Sequence, residues 1–417
     1  MLFRFSLYGF LKNQRYFEAY LVLAFLEKGL DFFQIGLLIA VREATVNLLE
    51  VPSGALADIW GRRRCLIVAF AAYLVAFLTL GATASIWTLA GGMFLYGIGE
   101  SFRSGTHKAL IFAWLRRQDR TDERTRVYGY TRSWSKIGSA VSVILATGIV
   151  LLSDGYALTF TASAVPCLAG ILNFLGYPAT LDTPQREAGS RGVVRHMLET
   201  VRTAIRRRPL RRLVFESMGF DGVFGAVKDY LQPVLEAAAV ATALGLGFGA
   251  DGSAARRTAL LVGPVYVGLF LLASMASRRA HRVATRLGGE AAGSARLWQL
   301  FTIACLTLLV ADRTNLTIIV VASFIALHVL HNLWRPMLVS RFDAHGKETH
   351  GASLLSVESQ ARHLTTMILA PLLGLAIDAA TEASGTPVFW PIGVVGVVVG
   401  IVFVGVGWRA KVDTRPS

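Results

Sequence analysis

The chain has 417 residues, of which 54% are apolar and only 17% are charged, and its formal net charge is +15. A soluble protein carries roughly 25% charged residues and needs more polar surface than this chain has, so the composition excludes a soluble globular protein. At roughly 20 residues per crossing, the length corresponds to about a dozen membrane-spanning helices with short loops.

Apolar stretches that end at clusters of charge predict twelve spans. The predicted spans are 14–29, 32–56, 65–84, 87–113, 127–152, 157–180, 211–235, 259–277, 297–311, 314–340, 353–378 and 387–408. The stretch 236–257 is rich in Ala and Gly, and it is either a loop or an extension of the seventh span past Pro233. An Arg-rich linker over 181–210 separates six spans in residues 1–180 from six in residues 211–417.

The 42 Lys and Arg residues are distributed unevenly between the loops. Most lie in the two termini, in the linker and in the other even-numbered loops, whereas the odd-numbered loops carry only Lys28, Arg256, Arg257 and Arg313. Since short cytoplasmic loops collect positive charge, both termini are predicted to be cytoplasmic, in a multi-pass protein of the cytoplasmic (inner) membrane. This asymmetry explains the net charge without nucleic acid, and we expect no nucleic-acid partner.

The loop between the second and third spans carries a distinctive motif, Gly54-Ala-Leu-Ala-Asp58-Ile-Trp-Gly61-Arg62-Arg63-Arg64. It resembles the loop 2–3 signature of the major facilitator superfamily, G-x-L-x-D-x-x-G-R-[KR], and it stands at the position where that family has it. The resemblance implies an all-α integral membrane protein with twelve transmembrane helices in two pseudo-symmetric six-helix bundles, which alternate access to a site at mid-membrane.

The resemblance also implies that this motif acts as a conformational latch formed by Gly54, Asp58, Gly61, Arg62 and Arg63. Each residue type suits that role physically. Gly54 would permit close approach of helices, Gly61 would allow a tight turn, and Asp58 could pair with Arg62. The alternative for the arginines is that they only fix the topology of the loop.

Charged side chains inside the predicted spans indicate candidate sites, because a charge at mid-bilayer costs roughly 2.5–3.5 kcal/mol unless it faces water or an opposite charge. Helical spacing groups these residues on shared faces. The second span carries Glu43 and Glu50, and in the eleventh span Glu358 can pair with Arg362 one turn later. The remaining groups are Glu100, Arg103 and His107 in the fourth span, Arg132, Trp134 and Lys136 in the fifth, and His328, His331, Asn332, Trp334 and Arg335 in the tenth.

In the family that the motif resembles, spans one, four, seven and ten line the substrate cavity. The substrate-binding residues that this implies on spans four and ten are Glu100, Arg103, His107, His328, His331, Asn332, Trp334 and Arg335. Trp134 on the fifth span is a further candidate, because it could stack on a planar solute. We expect proton coupling through Glu43, Glu50, Glu100 or Glu358, with Glu43 favoured because no basic residue shares its stripe, and a gate or ion-pair role for Arg132, Lys136 and Arg362. The alternative role of these charged residues is to form structural ion pairs. The alternative role of Trp134 and Trp334 is helix packing.

These observations predict a secondary transporter rather than an enzyme, with no cofactor and no metal, since the chain has no phosphate-binding loop and His328 and His331 lack further ligands nearby. Forked Arg donors favour a small organic anion or zwitterion. The expected partners are that solute, H+ and the lipid bilayer, and we expect a monomer. Drug or lipophilic-compound efflux, lysolipid or lipid transport, facilitated diffusion and a transporter-like sensor are the alternatives.

Overall fold

The computed structural model describes residues 1–104, 106–120, 123–178, 201–202, 205–245, 253–345 and 351–412. All regular secondary structure in these ranges is helical. The α-helices are α1 (Leu2–Leu11), α2 (Leu21–Glu27), α3 (Phe32–Trp60), α4 (Arg62–Ala82), α5 (Ile86–Arg103), α6 (Thr106–Arg117), α7 (Arg124–Ser153), α8 (Ala157–Leu175), α9 (Arg208–Ser217), α10 (Val223–Val227), α11 (Leu231–Gly245), α12 (Ala254–Arg286), α13 (Glu290–Arg313), α14 (Thr317–His345), α15 (Gly351–Ser384) and α16 (Trp390–Val412).

Eight of the helices in the described ranges are long and apolar enough to cross a membrane individually, namely α3, α4, α7, α8, α12, α13, α14 and α15. The first, fourth and seventh predicted spans are instead assembled from shorter pieces, and the last corresponds to α16, whose apolar stretch is shorter. The order of helices is therefore consistent with twelve crossings.

The first span differs from the prediction of a helix over 14–29. Helix α1 begins at Leu2 and ends at Leu11, and the chain resumes a helical course only at Glu18, in a short 3-10 turn before α2. Side-chain amides stabilise the interruption. Asn13 donates to the carbonyl oxygen of Ser135 at 2.7 Å, and Gln14 donates to that of Gly138 at 2.9 Å. The span is thus broken in the stretch that contains Lys12 and Arg15.

The seventh span is irregular as well. After α9 the chain forms one π-helical turn over Met218–Gly222 and a 3-10 turn over Lys228–Tyr230 before α11. Helix α11 continues past Pro233 to Gly245, so the first part of the ambiguous stretch 236–257 extends this span. Residues 246–252 lie outside the described part of the chain, as does most of the predicted linker 181–210.

The chain divides into two compact units. The first comprises Met1–Leu30, Leu38–Arg195 and Ala250–Val267, and the second comprises Asp31–Leu37, His196–Gly249 and Gly268–Ser417. In the first unit α4 packs against α5 and α8, around buried aromatic rings such as Phe70 and Phe160. In the second unit α13 packs against α14 and α16, around Phe220, Phe301 and Trp334.

Carboxylates from neighbouring helices cap several helix N-termini. Asp312, near the end of α13, accepts hydrogen bonds from the backbone N–H groups of Phe389 and Trp390 at 2.7 Å each. Asp378 likewise accepts from the first N–H groups of α3, and Glu27 accepts from the N–H of Tyr156 just before α8. Each bond satisfies a donor that has no partner within its own helix.

Candidate functional site

The first unit contains a network of ion pairs and tyrosines around Glu100 on α5. Arg15, from the interruption in the first span, forms an ion pair with Glu100, and Arg103 Nη2 lies 2.6 Å from Glu100 Oε2. Tyr73 on α4 donates to Glu100 Oε1 at 2.7 Å and accepts from Arg103 Nε at 2.9 Å. The hydroxyl group of Tyr96 accepts from Arg15 Nη1 at 2.8 Å. The fully partnered carboxylate fixes both guanidinium groups in place.

This network carries more positive than negative charge. Lys12 lies above the ring of Tyr8, 5.6 Å from its centre, and interacts electrostatically with Arg15, Arg103 and Arg132. Glu100 forms ion pairs with Arg15 and Arg103 and also lies close enough to Lys12 to interact with it electrostatically. The side chains of Arg103 and Glu100 are about one-fifth exposed, so the network borders open space. Such a site can accept an additional anionic group.

A second network occupies the second unit, around Arg335 on α14. Arg335 Nη1 donates to Asp221 Oδ2 and to Glu358 Oε1, at 2.6 Å each, and Nη2 donates to Glu358 Oε2 at 2.9 Å. His331 Nε2 lies 2.5 Å from Asp221 Oδ1, and Ser217 donates to Glu358. The two carboxylates are almost completely buried, whereas Arg335 is 32% exposed. The guanidinium group of Arg335 is therefore bound to two buried carboxylates while the Arg335 side chain remains partly accessible.

Two further predicted residues lie next to this network. His328 is within hydrogen-bond distance of the carbonyl oxygen of Phe324, 2.8 Å away, and Asn332 donates to the carbonyl oxygen of His328 at 2.9 Å. The ring of Phe224 stacks on His331 at 4.1 Å and meets His328 edge-on at 4.8 Å. Within the second unit the structure thus brings the predicted residues His328 and His331 together around the ring of Phe224.

The two tryptophans and His107 occupy different environments. Trp334 is fully buried, stacks on Phe220 at 4.5 Å and donates to Ser294, so it adopts the packing alternative in this conformation. Trp134 is 37% exposed on α7. Arg132 and Lys136 on the same helix are exposed as well. His107 is buried and stacks on Tyr8 at 3.7 Å.

The structure corrects two expectations about the partners of the acidic residues. Glu358 pairs with Arg335 instead of Arg362, whose Nη2 lies near Ser359 Oγ at 3.3 Å and the ring of His363 at 3.1 Å. Glu43 has a basic partner after all, because the side chain of the adjacent Arg42 folds back to within 2.6 Å of it. Sequential neighbours point to different sides of an ideal helix, and the long Arg side chain overcomes that difference. Glu50 lies half-buried on the same helix.

The predicted latch residues surround the short connection between α3 and α4. Gly61 has a φ of +101° between α3 and α4, a backbone conformation that favours glycine. Gly54 does not mediate close helix approach here, since a Cβ atom placed on it meets no described atom within 4 Å. Arg63 donates to the carbonyl oxygens of Phe174 and Leu175 at 2.9 Å each, and so caps the end of α8. Arg62 begins α4, and the side chain of Asp58 lies outside the described residues.

Sequence reasoning left four central residues out of the candidate set, namely Arg15, Tyr73, Tyr96 and Asp221. A signal existed for two of them. Arg15 stands in an unusually polar stretch of an otherwise apolar span, and Asp221 is an acid between two glycines in the seventh span. Both lie where their helices depart from α-helical geometry, and such discontinuities are frequent at binding sites. The two tyrosines carry no comparable signal.

Among the described residues, no group of three or more His, Cys, Asp and Glu side chains is arranged to hold a metal ion. The sequence profile of the family described as Major Facilitator Superfamily matches residues 13–358. The chain belongs to the Major Facilitator Superfamily. Its fold is the superfamily's fold, and the multi-pass membrane architecture follows from that membership and from the apolar helices.

Solved structures agree with the superfamily assignment. The nucleoside transporter NupG is similar with a TM-score of 0.75 and 12% identity, over 100% of this chain and 99% of that one. The peptide transporter POT in complex with sulfate is similar with a TM-score of 0.69 and 14% identity, over 98% of this chain and 94% of that one. A POT family transporter in complex with 5-aminolevulinic acid is similar with a TM-score of 0.64 and 12% identity, over 98% of this chain and 93% of that one. No curated protein matches the sequence. At these identities the likeness shows the fold alone.

Proposed function

We propose that this member of the superfamily is a secondary transporter that moves a small organic anion or zwitterion across the cytoplasmic membrane by alternating access. The observation that carries the proposal is that two guanidinium groups, those of Arg15 and Arg103, both bind the carboxylate of Glu100, with the side chain of Lys12 nearby. A carboxylate or phosphate on the substrate would supply the missing negative charge. The protein acts as a monomer with both termini in the cytoplasm.

Binding and release follow from competition for the guanidinium groups. Arg103 uses Nε toward Tyr73 and Nη2 toward Glu100. A substrate carboxylate that approaches the partly exposed network can share or replace Glu100 as the acceptor. Two parallel N–H···O bonds to one carboxylate match the planar fork of Arg, which a Lys ammonium group cannot reproduce.

Proton coupling uses the same competition. When a carboxylate takes up a proton it loses its hold on the paired guanidinium group, and that group becomes available to a substrate anion. Glu100 is bound to Arg15 and Arg103, and Glu43 is bound to Arg42, so protonation of either would weaken an ion pair. Arg335 would keep Asp221 as its partner if Glu358 were protonated. In the second unit His331 Nε2 lies within hydrogen-bond distance of Asp221 Oδ1, so a second acid is paired beside Arg335.

The neighbouring structures provide a rational panel of probes. NupG is a nucleoside transporter, and POT transporters have been solved with sulfate and with 5-aminolevulinic acid. Purified protein should first be screened for thermal stabilisation by nucleosides, short peptides, 5-aminolevulinic acid and other organic acids, because a ligand of the native state raises apparent stability by mass action. Hits should then be tested by counterflow in proteoliposomes.

Matched variants test whether the substrate carries a negative or a positive charge. We expect Arg103→Lys and Arg335→Lys to insert normally and to bind the anion at least about tenfold more weakly, which corresponds to roughly one charge-assisted hydrogen bond. Arg120→Lys is the control, because Arg120 forms an exposed surface pair with Glu123. Transport of a lipophilic cation that is unaffected by Arg103→Ala and Arg335→Ala would contradict the proposal and favour drug efflux. Ligand binding without counterflow would favour a sensor.

A further inference from the structure

Two basic residues of the first unit, Lys12 and Arg132, flank the contact between α1 and α7. Lys12 directly follows the last residue of α1, and Arg132 lies on α7. The two helices approach closely, because a Cβ atom placed on Gly9 would lie only 2.7 Å from the carbonyl oxygen of Thr131. Lys12 and Arg132 are close enough across this contact to interact electrostatically. Two like charges thus lie near each other within one unit.

Neither of these cations has an anionic partner in the described part of the chain. The Lys12 ammonium group lies over the ring of Tyr8 and forms no hydrogen bond or ion pair there. The Arg132 guanidinium group is likewise bound to no described acceptor, and its side chain is exposed. Lys12 is partly exposed, and its Nζ atom is not among the buried polar atoms that lack a partner. A ligand in the adjoining open space can therefore reach both charges.

The neighbouring carboxylate does not compensate these two charges. Both oxygen atoms of Glu100 already accept from arginines, Oε1 from Arg15 and Oε2 from Arg103. Of the four charged groups with which Lys12 interacts most strongly, Glu100 is the single carboxylate and the other three are guanidinium groups. A charge inside a membrane is costly unless it faces water or an opposite charge. An anion bound between Lys12 and Arg132 would therefore be stabilised by both.

We propose that Lys12 and Arg132 form a second anion-binding subsite in the first unit, so that the substrate carries two acidic groups, each a carboxylate or a phosphate. The inference rests on the proposed function, in which one acidic group binds at Arg103. Lys12 supplies a compact charge and Arg132 a planar fork of donors, and together they suit the oxygen atoms of the second group. Neither residue has to release Glu100 first, so this subsite is available before the network around Arg103 exchanges its acceptor.

The test compares acids that differ by one acidic group. The pairs are butyrate with succinate, pentanoate with glutarate, benzoate with phthalate, and glycerate with 3-phosphoglycerate. Purified full-length protein is titrated with each acid, and the dissociation constant is taken from thermal unfolding, because a ligand of the native state raises apparent stability by mass action. The last pair shows whether the second acidic group is a phosphate rather than a carboxylate.

Variants that remove a charge identify the subsite. Lys12→Met and Arg132→Gln remove one cation each, whereas Lys12→Arg keeps the charge and controls for loss of the lysine side chain itself. Lys108→Met is the matched control for Lys12→Met, because Lys108 is exposed and also lies over two aromatic rings. Arg126→Gln is the control for Arg132→Gln, because Arg126 is exposed on the same helix and interacts with Glu123.

At least one diacid should bind the wild type at least about tenfold more tightly than its matched monoacid, as expected for one additional hydrogen bond between charged groups. That preference should disappear in Lys12→Met and Arg132→Gln and persist in Lys12→Arg and in both controls. A wild type without diacid preference, or a preference that survives both charge-removing variants or falls equally in the controls, overturns the inference. Monoacid binding that depends on Arg103 without diacid preference would overturn this subsite alone, whereas selective binding of cations would contradict the proposed function as well.

Discussion

The hydroxyl group of Tyr73 donates a hydrogen bond of 2.7 Å to Glu100, although the two residues lie on different helices. The same hydroxyl accepts from Arg103 at 2.9 Å and from Arg15 at 3.3 Å. It is therefore the neutral centre through which the two arginines and the carboxylate of the first unit are connected. The ring of Tyr73 packs against Phe70 and Phe77. A mutation that removes only the hydroxyl group therefore separates the contribution of the hydrogen bonds from that of the ring.

Tyr73→Phe should keep the fold and weaken substrate binding. The ring contacts survive, but Glu100 loses a donor and both arginines lose an acceptor, so their orientation is no longer fixed. We expect affinity to fall about tenfold, the value of one hydrogen bond to a charged partner, in equilibrium binding to purified protein. Tyr130→Phe on the exposed face of α7 is the control. Unchanged affinity in Tyr73→Phe would show that the hydroxyl only supports packing.

Arg335→Ala should destabilise the protein through charge rather than through lost packing. Asp221 and Glu358 are nearly completely buried, and removal of their shared cation leaves two carboxylates without it. Breaking a buried pair in this way costs roughly 3–5 kcal/mol in free energy of unfolding. The triple variant Arg335→Ala, Asp221→Asn, Glu358→Gln should recover most of that loss in reversible unfolding in detergent. A triple variant as unstable as the single one would exclude the electrostatic explanation.

Glu43→Gln and Glu100→Gln test proton coupling. Glutamine preserves the shape of the side chain but cannot exchange a proton, so the variant that carries the coupling should lose uptake driven by a pH gradient and retain solute exchange. The pairing of Glu43 with Arg42 places it on equal terms with Glu100 as a candidate. Uptake and counterflow should be measured on the same proteoliposomes. If both variants respond to the gradient like the wild type, neither residue carries the coupling proton.

Gly99→Ala should disrupt the first unit, whereas Gly54→Ala should be tolerated. A Cβ atom at Gly99 would overlap the ring of Tyr73, and that ring is held by its hydrogen bonds to Glu100 and Arg103. A Cβ atom at Gly54 meets no described atom within 4 Å. Overpacking of this kind typically costs about 1–3 kcal/mol, which thermal unfolding resolves. Equal melting temperatures for the two variants would contradict the packing seen at Gly99.

Asp58→Asn tests the latch. The substitution keeps the size of the side chain and removes its charge, so insertion should be normal and transport strongly reduced. Topology and expression should be checked by accessibility labelling, and flux by counterflow. Wild-type flux in a correctly inserted Asp58→Asn protein would rule out the latch and leave Gly61, Arg62 and Arg63 with roles in the turn and the cap alone.

The motif over Gly54–Arg64 indicated the family, and apolar stretches and basic loops predicted the general course of the chain, because all of these are local properties of the sequence. The interruptions at Arg15 and Asp221 were missed for the same reason. The interruption near Arg15 involves contacts with a distant helix, because Asn13 and Gln14 donate to backbone carbonyl groups on α7. The pairing of Glu358 with Arg335 instead of Arg362 shows that partners in space can replace partners along a helix. No spacing rule within one segment reveals such contacts.

The cap that Asp312 places on the start of α16 has a consequence for exchange kinetics. Amides in the first turn of a helix usually exchange rapidly with solvent deuterium, since they lack an intrahelical acceptor. The amides of Phe389 and Trp390 are instead bound to a carboxylate from another helix. They should exchange slowly in the wild type and rapidly in Asp312→Ala, and they would report the separation of α13 from α16 at single-residue resolution.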